Sequence, residues 1–345
     1  MQQSGDLTRA PKSSAPSASP RLHLLIVALL GLALIGYLLT HIGLRAVLAA
    51  AASIGPGGFG VVCAMAFVVF AVLGPAWYVL LPRATHPSLR VLIWGRMVRD
   101  AASEALPFSQ VGGMVLGVRA TGLFGMPTRL TVASMIVDVT TELVGQLLYV
   151  GFGLWLLATY GAQSAAAATL ERSILIGIAV MTVCGIGFLA MQRRGLGWLS
   201  DKLAGRVFPA SAAYMSGVAA DLQAIHRSPW RLVASACIHF CAWNAAALAT
   251  WVAFRLIGQH VTVSAVIALE SLVYAARSLA FFVPNALGVQ EAAYAVLAPL
   301  VGIGQEFALA VSLLRRARDI AVGIPILLVY QFLEGRRALT RRVHT

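Results

Sequence analysis

Long apolar runs separated by short polar links dominate the chain. Runs at 22–40, 57–81, 130–158, 173–191, 230–257 and 306–333 each approach or exceed the ~20 residues that carry a helix across a bilayer core. Two further stretches, 88–125 and 262–303, are apolar but interrupted. The first carries Arg90, Arg96, Arg99, Asp100 and Glu104, breaks at Pro107 and resumes after Phe108-Ser109-Gln110-Val111-Gly112-Gly113. The second stops at Pro284, turns through Asn285-Ala286-Leu287-Gly288, resumes past Glu291 and ends at Gly302-Ile303-Gly304. Proline removes a backbone donor and stops a helix. Broken backbone at membrane depth survives only where protein buries it or it lines a cavity. The pattern therefore predicts an all-α, polytopic transmembrane bundle with two broken or re-entrant helical hairpins. Their turns fall at Pro107, Gly112 and Gly113, and at Pro284 and Gly288; for 88–125 the alternative is two ordinary spans packed inside the bundle.

Composition supports a membrane class. The chain is 59% hydrophobic and 11% charged, with mean hydropathy +0.82, whereas soluble domains carry roughly 25% charge. In that setting a net charge of +13 reads as Arg and Lys retained on the cytoplasmic side, not as a nucleic-acid surface. Arg9, Lys12 and Arg21 precede the first run; Arg193, Arg194, Lys202, Arg206, Arg227 and Arg231 lie in or beside 192–229; Arg336, Arg337, Arg341 and Arg342 close the chain. The links 41–55 and 159–172 hold one each, Arg45 and Arg172. The expected organisation is a disordered cytosolic tail (1–20), a first transmembrane repeat (21–191), a cytosolic amphipathic connector (192–229), a second repeat (230–333) and a basic cytosolic tail (334–345). Leu196, Leu199, Leu203 and Val207, with Lys202 and Arg206 between them, predict a connector helix on the membrane surface. Both termini are expected in the cytoplasm.

The two halves resemble each other. One interval separates Pro107 from Pro284, Gly125 from Gly302, Ala133 from Ala310, and Glu142 from Asp319. The order of elements repeats too: span, broken hairpin, Gly-containing turn, span with charge inside it. The charge rule starts one unit outside and the other inside, so the repeats are expected to be inverted, an arrangement that places transporter sites near the midplane.

Charge inside the apolar segments supplies the candidate chemistry. Arg315, Arg316, Arg318 and Asp319 lie deep in the last run. Asp138, Glu142 and Gln146 share one helix face. Arg315 with Asp319, and Arg316 with Asp319, are spaced to pair on a helix. One aspartate does not neutralise three arginines, so Glu291, Asp138, Glu142 or an anionic ligand is expected to balance them. Glu291, Arg315, Arg316, Asp319, Glu142 and Asp138 are thus candidates for substrate binding or coupling, with Glu291, Arg315 and Asp319 expected to meet in one wet cavity and Glu142 opposite Asp319. The alternative is an ion-pair cluster holding the repeats together. Glu291, near the start of a half-helix, is suited to capping, proton carriage or ligation.

Other chemistry is less supported. Cys63, Cys184, Cys237 and Cys241 read as small apolar fillers. Cys237, His239 and Cys241 do not share a helix face, so no metal is expected. Phosphate-loop, H-E-x-x-H and Gly-x-Ser-x-Gly motifs are absent, and the seven histidines are scattered, mostly at segment edges or in loops. No cofactor, catalytic residue or nucleic-acid partner is expected.

Several motifs together resemble one known family. Leu106-Pro107-Phe108-Ser109-Gln110-Val111-Gly112-Gly113, Val137-Asp138 with Glu142 and Gln146, Phe282 to Glu291, and Leu313-Leu314-Arg315-Arg316-Ala317-Arg318-Asp319 are similar to the hopanoid-biosynthesis-associated membrane protein family HpnL, of the lysylphosphatidylglycerol synthase transmembrane-region superfamily. The resemblance implies a multi-pass bacterial inner-membrane protein that moves or flips a lipid, a hopanoid or a phospholipid, alongside membrane proteins of the hopanoid pathway. An accessory protein recruiting hopanoid enzymes is the alternative, and an intramembrane lipid-modifying enzyme is a third. Where the superfamily turn has a Pro-Gly-Gly-x-Gly pattern, this chain has Pro284-Asn285-Ala286-Leu287-Gly288. Synthase members carry a cytosolic aminoacyl-transfer domain after the membrane region; the few residues here after Leu333 lead to the expectation that this activity is absent. Proton coupling through Glu291 or Asp319, and passive exchange, are both open.

Overall fold

Helices alone, with no strand, build the described part of the computed structural model, which covers residues 52–82, 88–105, 109–161, 209–280, 284–286 and 288–343, with scattered positions in 49–54 and 172–187. Among the described residues, three helices are long and apolar enough to cross a membrane: α1 (Gly55–Leu80), α4 (Thr128–Gly161, apolar through Leu157) and α6 (Pro229–Leu256). Proline opens both α1 and α6 within the first turn, where a missing N–H costs nothing. The protein is an all-α membrane bundle. The run expected at 22–40, most of the run expected at 173–191 and the connector residues 192–208 lie outside the described residues, as does Pro107.

Both interrupted stretches fold as hairpins of short helices. In the first, α2 (Leu89–Ala105) packs along α3 (Ser109–Gly122). At 1.5 Å per residue each is about 21–26 Å long, short of a full crossing. Their backbones approach closely because glycines line the seam. A Cβ on Gly113 would lie 2.5 Å from the Arg99 carbonyl oxygen, and one on Gly117 3.0 Å from the Arg99 Cβ. Gly113 and Gly117 are one turn apart, the small-residue spacing that lets membrane helices touch. In the second hairpin, α7 (Val263–Leu279) leads through a turn at Pro284–Ala286 to α8 (Val289–Leu297), extended by a 3-10 turn at Ala298–Val301. Thr262 caps α7, its hydroxyl accepting from the Ala265 N–H at 3.2 Å.

A long helix follows each hairpin, α4 after the first and α9 (Gln305–Val343) after the second. The turns before them contain Gly125 and Gly302, both left-handed, at φ 85° and 75°. α4 lies against α7, and α9 lies against α2, so each long helix packs on the other unit's hairpin. Ala66, Val98, Ala101, Ala120, Val322 and Ile326 form the core where α1, α2, α3 and α9 meet. A larger core joins α1, α6, α7, α8 and α9 around Phe254, Leu269, Tyr294 and Leu314.

Two features concern the connector and the tail. The end of the expected connector, α5 (Pro209–His226), is packed on the bundle, burying Val218, Leu222 and Ile225 against Leu80, Ala133 and Val137. The expected basic tail continues α9 as helix to Val343, and Arg337 donates to the Gly122 carbonyl at 2.6 Å. The end of α3 thereby holds the tail to the bundle.

The seam between α2 and α3 gives a direct test. Gly113→Ala places a methyl against backbone and is expected to lower stability in detergent by about 1–3 kcal/mol. Gly60→Ala, where a Cβ meets nothing within 4 Å, should leave melting unchanged or raise it. Equal melting of the two variants would contradict the close approach.

Candidate functional site

Charged side chains inside the bundle form three groups, one on each hairpin and one between them. In the first, α2 presents Arg96, Arg99 and Asp100 on one face, α4 presents Asp138 and Glu142 one turn apart, and α6 contributes His239. Arg96 spreads its fork over three acids: Nε to Asp100 at 2.9 Å, Nη1 to Asp138 at 2.9 Å and Nη2 to Glu142. Arg99 donates to Asp138 at 3.1 Å and Glu142 at 2.8 Å. His239 Nε2 lies 3.0 Å from the other Asp138 oxygen. Asp138 and His239 are fully buried. Arg99 Nε and His239 Nδ1 are buried without a hydrogen-bond partner among the described residues. The close contact of α4 and α6 fixes this geometry, since a Cβ on Gly145 would sit 2.8 Å from that of His239. Thr141 and Ser235 hydroxyls meet at 2.8 Å across the same contact.

The second group lies between α7, α8 and α9. Arg315 Nη1 donates to Glu270 at 2.5 Å and to the Tyr294 hydroxyl at 2.7 Å, and Nη2 donates to the Tyr274 hydroxyl at 2.7 Å. Tyr294 also donates to Glu270. Arg316 pairs with Glu291 at 3.0 Å and donates to the Asn285 carbonyl at 3.0 Å. Glu291 accepts from the Gly288 N–H at 2.9 Å, capping α8 from its third position. Arg318 pairs with Asp319 at 2.6 Å.

A third set joins the two hairpins. Arg277 on α7 pairs with Glu104, at the end of α2, at 3.1 Å, and donates to Asn285 Oδ1 at 3.3 Å and to Gln290. Asn285 Nδ2 donates to the Glu104 carbonyl at 3.0 Å. The end of α2 and the Pro284–Ala286 turn therefore meet through polar side chains. Gln146, on the same α4 face as Asp138 and Glu142, reaches α7 at Ser278 Oγ, 2.6 Å away.

The arrangement corrects the expected pairing. Arg315 pairs with Glu270, not Asp319; Asp319 is held by Arg318; Glu142 answers Arg96 and Arg99 and does not face Asp319. Glu291, Arg315 and Asp319 sit in three separate pairs, with Arg316, Glu270 and Arg318. Spacing along a helix permits such a pair without imposing it: Arg96 takes Asp100 one turn on, while Arg315 is met by Glu270 from α7. Glu270, Tyr274, Arg277 and Tyr294 were missed as site residues. Their signal was present, for Glu270, Tyr274 and Arg277 share one face of an otherwise apolar helix. His239 lies mid-helix in α6, not at an edge, while Cys237 and Cys241 on the same helix are exposed. Cys63 is half-buried, and Cys184 lies outside the described residues. Gly112 and Gly113 fall within α3, past the break they were expected to form, whereas Gly288 is the N-cap of α8 at φ 75°.

Residues 22–326 match the family described as the lysylphosphatidylglycerol synthase TM region. The chain belongs to that family. A search of curated proteins and a search of solved structures each found no match. The match to the lysylphosphatidylglycerol synthase TM region takes in both hairpins, the charged face of α4 and the charged part of α9. Both charged groups are thus part of the family's membrane region.

The pairing predicts how the second group responds to mutation. Arg315→Ala or Glu270→Ala strands a buried charge and should cost about 3–5 kcal/mol, read as loss of folded protein and a lower Tm in detergent. Arg315→Met combined with Glu270→Leu should recover most of it. If Arg315→Met with Asp319→Leu recovers it instead, the pairing described here is wrong.

Proposed function

We propose that the protein moves a lipid, a hopanoid or a phospholipid, within or across a bacterial inner membrane. The observation that carries this reading is the polar junction of Glu104, Arg277 and Asn285, where the two hairpin ends meet inside an otherwise apolar bundle. Glu104 keeps 36% of its side chain exposed there, while Arg277 keeps 14%. A polar lipid head has a partner at Arg277 if it displaces Glu104, with one acceptor exchanged for another. The rigid rings of a hopanoid, or the tails of a phospholipid, would stay against apolar helix faces. Asp138, Glu142, Glu291, Arg315, Arg316 and Asp319 then position the helices around that junction. Membership in a family named for the membrane region of a lipid synthase supports the lipid class, and the motif resemblance supports a hopanoid.

The reading assigns binding and passage to these residues, not catalysis. It treats α2–α4 and α7–α9 as inverted repeats, supported by their matching order and by the left-handed Gly125 and Gly302 in equivalent turns. The distribution of Lys and Arg supports cytoplasmic termini. Reporter fusions at Gly161, Gly205 and Thr345 are expected to read outside, inside and inside; a periplasmic signal at Gly205 would remove the inversion.

Reconstitution tests transport itself. Liposomes carrying purified protein and a labelled phospholipid or hopanoid should exchange label between leaflets faster than empty liposomes. Arg277→Gln, checked for folding by its Tm, should slow exchange about tenfold or more, the loss of one charge-assisted contact. No acceleration by the wild-type protein with either lipid would refute the proposal and favour an accessory role.

A further inference from the structure

The first charged group is not neutral by side-chain count. Arg96 and Arg99 face Asp100, Asp138 and Glu142, two cations against three anions. Elsewhere in the bundle each buried arginine has one acid: Arg315 with Glu270, Arg277 with Glu104, Arg316 with Glu291 and Arg318 with Asp319. An uncompensated charge at this depth is costly. The remaining titratable side chain in contact with the first group is His239, fully buried, with Nε2 against Asp138. A carboxylate only accepts, so Nε2 carries a proton toward Asp138 and the neutral ring leaves its lone pair on Nδ1. Nδ1 is buried without a hydrogen-bond partner among the described residues, and unlike Arg99 Nε it can take up a proton.

Protonation at Nδ1 brings the group to zero net charge. We propose that the Asp138–His239 pair is a proton-binding site that couples lipid movement to a proton gradient. The coupling rests on the transport reading above; the proton site itself does not.

The groups around His239 favour this assignment. On α4 it faces Asp138 and Glu142, with the Tyr149 phenol beyond, stacked on Trp243 of α6. α1 carries no charged side chain, only the Cys63 thiol and the Tyr78 phenol as titratable groups. α7 brings Glu270, Tyr274 and Arg277, held in contacts with Arg315 or Glu104. α9 brings Arg315, Arg316, Arg318 and Asp319, each already paired. None of these fills the deficit of the first group. The pair also has leverage. Asp138 joins α2, α4 and α6 at one carboxylate, so a change of charge at His239 acts on the first hairpin, the long helix it precedes and the helix behind it together.

The test combines a direct readout with a transport readout. In protein carrying 15N-labelled histidine, in lipid nanodiscs and scanned from about pH 8 to about pH 5, the ring signal that is lost in His239→Gln should move. Glutamine keeps a donor toward Asp138, and its Tm establishes that the variant folds. In liposomes with a labelled phospholipid, an imposed pH gradient should change wild-type exchange several-fold, and this ratio should fall to about one in His239→Gln. A His239 signal that does not move over that range overturns the proton site. A signal that shifts while wild-type exchange ignores the gradient overturns the coupling and leaves lipid movement standing. A shifting signal with no lipid movement at all overturns both the coupling and the transport reading but supports the proton site.

Discussion

A guanidinium buried among apolar helices must have its charge balanced and its donors filled, and this requirement orders the whole interior. Arginine cannot escape by losing a proton, so its partners must be carried to it. Most partners come from a different element: Arg96 draws on α4 as well as on Asp100 of its own helix, Arg315 on α7 and α8, Arg316 on α8, Arg277 on α2 and the hairpin turn. Apolar packing brings these helices within reach but sets their register less sharply than a directional contact does. The forked ion pairs choose it.

Glycine makes that choice feasible. Arg99 reaches α4 from a helix pressed against α3 at Gly113 and Gly117, and His239 reaches Asp138 because Gly145 lets α6 lie on α4. The second hairpin solves its turn differently. Asn285 and Ala286 both take positive φ, 49° and 45°. Asparagine tolerates this region; alanine gives up roughly 1–2 kcal/mol. Three contacts hold the strained turn: Asn285 donates to the Glu104 carbonyl, accepts from Arg277 at Oδ1, and accepts from Arg316 at its own carbonyl. Backbone held in such sparsely populated regions clusters at functional sites.

Much of this was legible in the sequence. Apolar run lengths gave α1, α4 and α6, and Pro284 with Gly288 located the second turn. The face shared by Asp138, Glu142 and Gln146 was readable from helical spacing and is polar in the structure. Partner choice was not readable. Spacing along one helix suggests Arg315 with Asp319, but it carries no information on which helix lies opposite, and Glu270 comes from 45 positions away. A lone acid in an apolar run, as at Glu270, is the signal that such a partner exists. His239 was hidden for a related reason, since its worth depends on a neighbour 101 positions distant.

The two units are alike in frame and opposite in charge. Asp138 on α4 and Arg315 on α9 are separated by the same interval as Gly125 and Gly302, so they occupy equivalent places in the two long helices. Each reaches back to the first helix of its own hairpin, Asp138 to Arg96 and Arg99, Arg315 to Glu270. Exchange of sign keeps a buried salt bridge at both places while changing what surrounds it. An aspartate at the centre admits several donors and leaves a negative excess beside an imidazole. An arginine at the centre collects acceptors, one carboxylate and two phenol oxygens, and ends balanced. The first unit is therefore built to take up a positive charge, and the second to stay neutral while holding the turn at Asn285. On the proposed reading, that asymmetry lets one frame used twice separate the proton from the lipid head.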